Sequence, residues 1–176
     1  QRSIILGGAL IALGMFMLLI PQLQWFLAGL AVIVAGNGLF KPNISTMVGA
    51  LYAPQDSRRD SGFTIFYMGI NAGAFVAPIV CASVVGARFG YRYGFLAAGI
   101  GMVFGIVVFQ FLAGMLGHIG KAPAGREGVK PVLVVLGGAA AMVPLLWLLL
   151  SKSEVLGYVL IGLMLFLVLY FLASGI

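Results

Sequence analysis

Charged residues are almost absent from very long stretches of this chain. Of its 176 residues, 62% are hydrophobic and only 8% are charged. A water-soluble domain of this length needs far more polar surface to cover itself. A helix crosses the hydrocarbon core of a bilayer with about 20 mainly apolar residues. The sequence therefore predicts an integral membrane protein embedded in a lipid bilayer.

Six apolar segments follow one another along the sequence, each long enough for a transmembrane helix. Their approximate bounds are 4–20, 25–52, 63–87, 94–117, 131–150 and 155–173. Because backbone groups must be paired inside a bilayer, only helices and closed barrels can cross it, and these segments are too long for barrel strands. We predict an all-α fold, a polytopic helix bundle with about six transmembrane helices.

The basic residues in the loops indicate an orientation. If every segment crosses, one side holds Arg2, Arg58, Arg59, Lys121, Arg126 and Lys130, and the other holds Arg88, Arg92 and Lys152. Positive charge accumulates in cytoplasmic loops, so we expect the first group to face the cytoplasm. The net charge of +6 then reflects topology, and we expect no nucleic-acid partner.

The stretch 118–130, "HIGKAPAGREGVK", is the one candidate boundary, because it is rich in Gly, Pro and charge. We predict four functional helices in 1–117, a cytoplasmic linker in 118–130 that includes a solvated His118, and a plainer two-helix hairpin in 131–176. The chain starts at Gln1 without an initiator Met and enters an apolar run almost at once. We therefore expect a fragment of a longer polypeptide.

Lys41 places a full charge inside the second segment, within "GNGLFKPNIS". At about 1.5 Å per residue it lies roughly 16 Å from Tyr52 and 24 Å from Trp25. A lysine at the bilayer centre costs about 2.5–3.5 kcal/mol and normally faces a water-filled cavity or a carboxylate. Snorkelling to the headgroups is the alternative. The four acidic residues are all predicted in loops, at Asp56, Asp60, Glu127 and Glu154. We expect a partner for Lys41 from the substrate or from sequence outside this chain.

Polar and bend-forming residues surround Lys41. Asn37 and Ser45 lie four residues on either side of it, on the same helical face. Pro42 removes a backbone donor and favours a bend. Together with Asn43, these are candidate cavity or hinge residues.

The third segment carries a second stripe of candidate residues. Tyr67 and Asn71 are spaced i, i+4, and Phe63 and Pro78 extend the stripe. An unpaired amide in lipid costs several kcal/mol. Asn71 is therefore expected either to contact a substrate or to form an interhelical hydrogen bond.

Glycines on two of the predicted helices are spaced for close packing. Two GxxxG pairs, Gly69 with Gly73 and Gly101 with Gly105, are predicted to be close-packing faces. The sequence offers no Cys/His cluster for a metal and no Ser/His/Asp set for catalysis. We expect no enzyme, no catalytic residue and no cofactor. The alternative is a membrane enzyme or complex subunit that uses Lys41 in a proton path.

Two stretches, "GNGLFKPNISTMVGALY" and "RRDSGFTIFYMGINAGAFVAP", resemble the signature motifs of the proton-coupled oligopeptide transporter family. The FYxxINxG pattern of that family is matched by Phe66, Tyr67, Ile70, Asn71 and Gly73. The resemblance is close over roughly residues 25 to 80. It implies part of a major facilitator fold, with the first four segments as the third to sixth helices of the N-terminal half. The last two segments resemble the helix pair inserted between the halves of bacterial members.

The resemblance also implies a function and roles for three residues. It implies a multi-pass symporter of the inner membrane that takes di- and tripeptides and is driven by the proton gradient. Lys41 resembles the family lysine of the central cavity, which engages the peptide carboxylate or a glutamate. Asn71 resembles the amide that binds the peptide, and Tyr67 lines the same pocket. Another small solute, such as nitrate, is an alternative substrate.

Parts of the family pattern are absent from this sequence. The ExxERF motif of the first helix is missing, and so is the C-terminal half. Alone, the chain would form a cavity without its opposite wall. We therefore expect the missing helices of the same polypeptide to be its partners.

Overall fold

The computed structural model describes residues 1–53, 55–117, 119–120 and 129–174, and throughout these ranges the ordered elements are helices. This confirms the all-α prediction. The elements are α1 (Arg2–Met17), α2 (Leu23–Gly49), α3 (Arg58–Pro78), a π-helical segment (Ile79–Gly86), α4 (Ala87–Phe89), α5 (Tyr91–Leu112), a 3-10 turn (Ala113–Leu116), α6 (Val129–Ser151) and α7 (Ser153–Ser174).

Each predicted apolar segment coincides with one long helical stretch, and the bounds shift by a few residues. Among the described residues, three stretches are long and apolar enough to cross a membrane: Leu23–Gly49, Arg58–Phe89 and Tyr91–Leu116. Shorter apolar helices occupy Arg2–Met17, Ala140–Ser151 and Gly157–Leu172. Arg58 to Asp60 form the first turn of α3, where the sequence predicted a loop.

The core of the bundle is the contact of α1 with α2 and α5. Gly7 and Gly14 of α1 lie against Gly36 and Gly29 of α2. A Cβ on Gly7 would lie 2.8 Å from the Gly36 carbonyl oxygen, and one on Gly14 would lie 2.7 Å from that of Gly29. Small residues permit this approach of two backbones, as is common between helices in lipid. The two helices therefore pack closely at two points, where each contributes a glycine and the glycines of each helix are seven residues apart.

Within the described residues, the two predicted GxxxG faces do not pack against a neighbouring helix. A Cβ on Gly69, Gly73, Gly101 or Gly105 would meet no described atom within 4 Å. On α5 the close contacts are instead made by Gly99, with the ring of Phe16, and by Gly94, with the Cys81 carbonyl. GxxxG spacing marks a helix face that can pack closely, but the rotation of the helix decides whether a neighbour is there.

A π-helical segment interrupts the third long stretch immediately after Pro78. Proline lacks the N–H that would continue the α-helical pattern. Gly94 of α5 packs directly on the carbonyl of Cys81 in this segment, where a side chain would not fit. Gly90, with φ of 104°, makes the turn into α5 in a conformation that favours glycine. These contacts hold α5 against the π-helical segment.

The start of α1, the end of α2 and the residues after α5 meet at one end of the bundle. The Gln1 side-chain Nε2 donates to the Ile119 carbonyl at 2.9 Å, and the Gln1 amino group donates to the carbonyl of Gly120. A Cβ on Gly120 would lie 3.0 Å from the Met47 sulfur. Helix α2 therefore runs opposite to α1, and α5 runs in the same direction as α2, as the predicted topology requires.

The first helix of the predicted hairpin, residues 131–176, begins slightly earlier than the sequence indicates. Helix α6 starts at Val129, two residues inside the predicted linker, and it contacts α2 as well as α7. Along α7 the side chains that the structure describes are almost all exposed. His118 and residues 121–128 of the predicted linker lie outside the described residues.

Candidate functional site

An open cleft lies between the end of α2 and the start of α3. Its volume is about 560 Å³. It is lined by Ser45, Thr46, Gly49, Ala50, Tyr52, Arg59 and Phe63. Ser45 and Phe63 are candidate residues predicted from the sequence, and the structure brings these two together. Gly49 and Tyr52 were not predicted, although both lie at the end of an apolar run next to a charged turn.

Two glycines allow the helices to approach each other at this cleft. The Tyr52 ring lies over Gly62, where a Cβ would be 2.5 Å from two of the ring carbons. A Cβ on Gly49 would be 3.3 Å from the Phe63 ring. Tyr52, in the α2–α3 connection, and Phe63, on α3, thereby contribute two aromatic rings to the lining of the cleft.

Neighbouring arginines differ in their contacts at the start of α3. Arg58 Nη2 lies 2.8 Å from Asp56 Oδ2, and the Arg58 backbone N–H donates to Asp56 Oδ1 at 2.9 Å. These bonds stabilise the carboxylate and hold the pKa of Asp56 below its ordinary value. Arg59 is half-buried, and its Nε is buried without a hydrogen-bond partner among the described residues.

Lys41 lies on an exposed part of α2, one turn before Ser45. Because α2 ends at Gly49, Lys41 is about 12 Å from the end of the helix, compared with the 16 Å expected from the sequence. The turn that follows α2 accounts for the difference. Among the described residues Lys41 forms no ion pair. The exposed Asn37 lies one turn earlier on the same helix.

Two side chains near Pro42 donate hydrogen bonds to backbone carbonyls of the same helix. Asn43 Nδ2 donates to the Leu39 carbonyl at 2.7 Å, and Thr46 Oγ1 donates to the Pro42 carbonyl at 2.8 Å. Helix α2 continues through Pro42. The Asn43 amide nitrogen therefore bonds to its own helix, and Asn43 stays a predicted cavity or hinge residue beside Asn37 and Ser45.

On α3, aromatic contacts connect the cleft with the predicted binding residues. The Phe63 and Tyr67 rings stack with centroids 6.4 Å apart and an interplanar angle of 27°. Tyr67 is 51% exposed. Asn71, one turn further, is exposed and makes no side-chain hydrogen bond within the described part of the chain. Pro78 lies at the junction with the π-helical segment.

The structure brings Ser45 and Phe63 together in the cleft, and Tyr67 stacks on Phe63. Lys41 and Asn71 lie outside the cleft lining, each on an exposed part of its own helix. The two helices offer one cation, one amide and one phenol, which are groups that can bind a small polar ligand. In the described ranges, no three His, Cys, Asp or Glu side chains are grouped as a metal site requires.

Sequence comparison relates the chain to peptide transporters. The family model PTR2, described as the POT family, matches residues 1–141. A di-/tripeptide transporter of Lactococcus lactis subsp. lactis is 46% identical over 133 residues, which are 75% of this chain and 26% of that protein. A dipeptide and tripeptide permease B of Yersinia enterocolitica is 35% identical over 176 residues, which are 97% of this chain and 35% of that protein.

Structure comparison gives the same relationship. The crystal structure of a peptide transporter POT in complex with sulfate superposes with a TM-score of 0.70 at 36% identity. The match covers 97% of this chain and 37% of that transporter. The chain thus spans about a quarter to a third of the length of the curated relatives described above.

Proposed function

The chain belongs to the POT family of membrane transporters, and on this premise we propose that it forms part of a proton-coupled symporter of di- and tripeptides in the inner membrane. The names of its relatives support the substrate class, since they are di-/tripeptide transporters and permeases. The family resemblance supports the coupling to protons. The apolar helices support a multi-pass position in the bilayer.

The domain organisation is proposed in the same terms. Residues 1–117 contribute four helices of the N-terminal transporter half, 118–130 contribute a cytoplasmic linker, and 131–176 contribute an inserted hairpin. The contact of α1 with α2 and α5 supports a common bundle in the first part. The exposed side chains of α7 support a peripheral hairpin. The remaining helices of the transporter supply the opposite wall of the cavity.

The exposed charge of Lys41 is the observation that best supports the proposed function. Its ammonium group lies within a long apolar helix, is exposed, and has no anionic partner among the described residues. A charge at such a position is costly unless an aqueous cavity or a counter-ion receives it. The terminal carboxylate of a short peptide provides such a counter-ion. Asn71 and Tyr67 offer hydrogen bonds to the peptide from α3.

Proton coupling follows from competition for Lys41. A deprotonated carboxylate elsewhere in the cavity pairs with the lysine, and its protonation releases the lysine to bind the peptide carboxylate. The pairing of Lys41 with the carboxylate and its pairing with the peptide favour different positions of the two transporter halves. A ligand shifts a conformational equilibrium only by the difference between its affinities for the two conformations. The site then alternates between the two sides of the membrane.

Counterflow in liposomes tests this function. The transporter that contains this chain is reconstituted with unlabelled dipeptide inside, and entry of labelled dipeptide is followed with and without a proton gradient. We expect transient accumulation of the label, increased by inward proton flow. If nitrate competes and dipeptides do not, the substrate class is wrong. If no solute exchanges, the protein is not a transporter of this kind.

A further inference from the structure

The turn between α4 and α5 brings two arginines to one end of the bundle. Arg88 lies in the last turn of α4 and Arg92 in the first turn of α5, and Gly90 is the one residue between the two helices. Both arginines are exposed, and neither forms an ion pair with a described residue. The turn therefore presents two positive charges within five residues.

The shortness of the turn places these charges at the edge of the bilayer. The stretches Arg58–Phe89 and Tyr91–Leu116, both long and apolar enough to cross a membrane, meet at Gly90. At a rise of about 1.5 Å per residue, each arginine lies within about 2 Å of the end of its stretch. A connection of one residue cannot extend the backbone far into water. The two guanidinium groups are therefore at the level of the lipid headgroups.

Exposed aromatic residues alternate with the arginines along the turn. Phe89 is 68% exposed, Tyr91 78% and Tyr93 52%. The Phe89 and Tyr93 rings contact each other edge to face, with centroids 6.4 Å apart. Tyrosine is enriched at membrane–water interfaces, because its ring is apolar and its hydroxyl is polar. The turn thus combines groups that bind an anion with groups that contact acyl chains.

Contacts with the π-helical segment hold the turn in one conformation. A Cβ on the buried Gly86 would lie 3.0 Å from the Cys81 carbonyl oxygen and 3.5 Å from a ring carbon of Tyr91. The Gly90 N–H donates to the Gly86 carbonyl at 2.9 Å, and Gly94 packs on the Cys81 carbonyl. A backbone that is already ordered lowers the cost of binding one ligand through both arginines.

The predicted orientation of the chain makes the two arginines unusual. They lie opposite the predicted cytoplasmic loops, on the side where basic residues are less common. Arginine binds phosphate through a planar fork of N–H donors. An anionic phospholipid supplies a phosphate for the guanidinium groups and acyl chains for the aromatic rings. A carboxylate from another part of the polypeptide would match the guanidinium groups alone.

We propose that Arg88 and Arg92 together bind the phosphate of an anionic phospholipid, such as phosphatidylglycerol, in the non-cytoplasmic leaflet. The acyl chains of this lipid pack against the exposed rings of Phe89 and Tyr93. The proposal goes beyond the proposed function and needs only that the chain crosses a bilayer. It depends neither on the peptide substrate nor on proton coupling.

Quenching of a fluorophore beside the turn tests the proposal in the full transporter. The exposed Ala87 is changed by Ala87→Cys in a background whose other cysteines, Cys81 included, are serine, and the new thiol is labelled with bimane. The protein is reconstituted in phosphatidylcholine that contains a small fraction of either phosphatidylglycerol or phosphatidylcholine with a nitroxide on the acyl chain. We expect the phosphatidylglycerol probe to quench at least about threefold more strongly at equal mole fraction. The combined change Arg88→Gln and Arg92→Gln should make the two probes quench equally.

The matched control is Lys152→Gln, compared with Arg92→Gln alone. Each removes one positive charge from the same predicted side, and Lys152 is exposed at the connection of α6 and α7. The preference for phosphatidylglycerol should fall in the Arg92 variant and persist in the Lys152 variant. An equal fall in both would assign it to the overall charge of that side and overturn the proposal.

A second pair of changes, Arg88→Lys with Arg92→Lys, keeps the charges and removes the planar forks. The preference should decrease without disappearing, and an unchanged preference overturns the proposal. So does a parent protein that shows no preference, as expected if a protein carboxylate holds the arginines. Loss of the preference in millimolar sodium phosphate would assign the site to free phosphate and would also overturn it. Quenching by the phosphatidylcholine probe should be the same in every variant, which shows that the turn keeps its position. The measurement needs no peptide, so its failure is distinct from a failure of dipeptide counterflow.

Discussion

Gly36 of α2 and Gly7 of α1 are in direct backbone contact across the helix interface. A Cβ on Gly36 would lie 2.7 Å from the Gly7 carbonyl oxygen and 2.9 Å from the backbone nitrogen of Ile11. Backbone atoms cannot move aside as a flexible side chain can. The two helices therefore hold their spacing only while position 36 has no side chain.

Gly36→Ala is expected to lower the stability of the bundle by about 1–3 kcal/mol, because it overpacks a close interface. The measurement is thermal unfolding of the purified transporter, followed by size-exclusion chromatography. Gly38→Ala is the matched control: it lies on the same helix, and its Cβ would meet nothing within 4 Å. An equal loss of stability in both variants would show that α2 itself does not tolerate alanine, and that the contact with α1 is not the cause.

This interface also shows what could be predicted from the sequence. The helices themselves were predictable, because a bilayer leaves few alternatives to a helix for a long apolar run. The glycines that make contact were not. Gly7 and Gly36 were overlooked, while Gly69 and Gly73 were predicted to pack and have no neighbour within the described chain. Which face meets a neighbour depends on helix rotation and crossing, and these are decided by packing of the whole bundle.

The candidate site was also predictable only in part. Ser45 and Phe63 were identified from helical spacing, and they share a cleft. Asn43 was grouped with them because it is polar and adjacent to Lys41. Its amide nitrogen donates to the Leu39 carbonyl of its own helix, a bond that the sequence did not predict. Residue type alone does not reveal such a bond, because a polar side chain can pair with its own backbone or face a cavity.

Lys41→Ala is expected to abolish proton-driven peptide uptake in the full transporter, since no other cation of α2 can replace it. Uptake of labelled dipeptide into proteoliposomes under an imposed proton gradient should fall to the level of empty liposomes. Lys152→Ala, at the exposed connection of α6 and α7, is the control and should retain uptake. Uptake at the parental rate in the Lys41 variant would disprove its role in coupling.

Asn71→Ala is expected to weaken peptide binding by the value of one hydrogen bond. A loss of about 0.5–1.5 kcal/mol corresponds to a rise in apparent KM of about 2- to 12-fold. The control is Thr64→Val on the same helix, because the Thr64 hydroxyl donates to the Asp60 carbonyl of its own backbone at 2.9 Å. An unchanged KM together with reduced thermal stability would instead assign Asn71 to an interhelical hydrogen bond.

The stability of the first turn of α3 depends on pH through the bonds between Asp56 and Arg58. Its folded pKa is lowered from the ordinary 3.8, so the stabilisation is complete above that value and is lost as the pH falls through the lowered pKa. Hydrogen exchange protection of amides 57–60 should therefore be constant from pH 7 to 5 and decrease only in stronger acid. Asp56→Asn should reduce protection at pH 7 and remove the acid-dependent decrease. A loss of protection between pH 7 and 5 in the parent protein would require another titrating group, because the Asp56 carboxylate stays ionised throughout that interval.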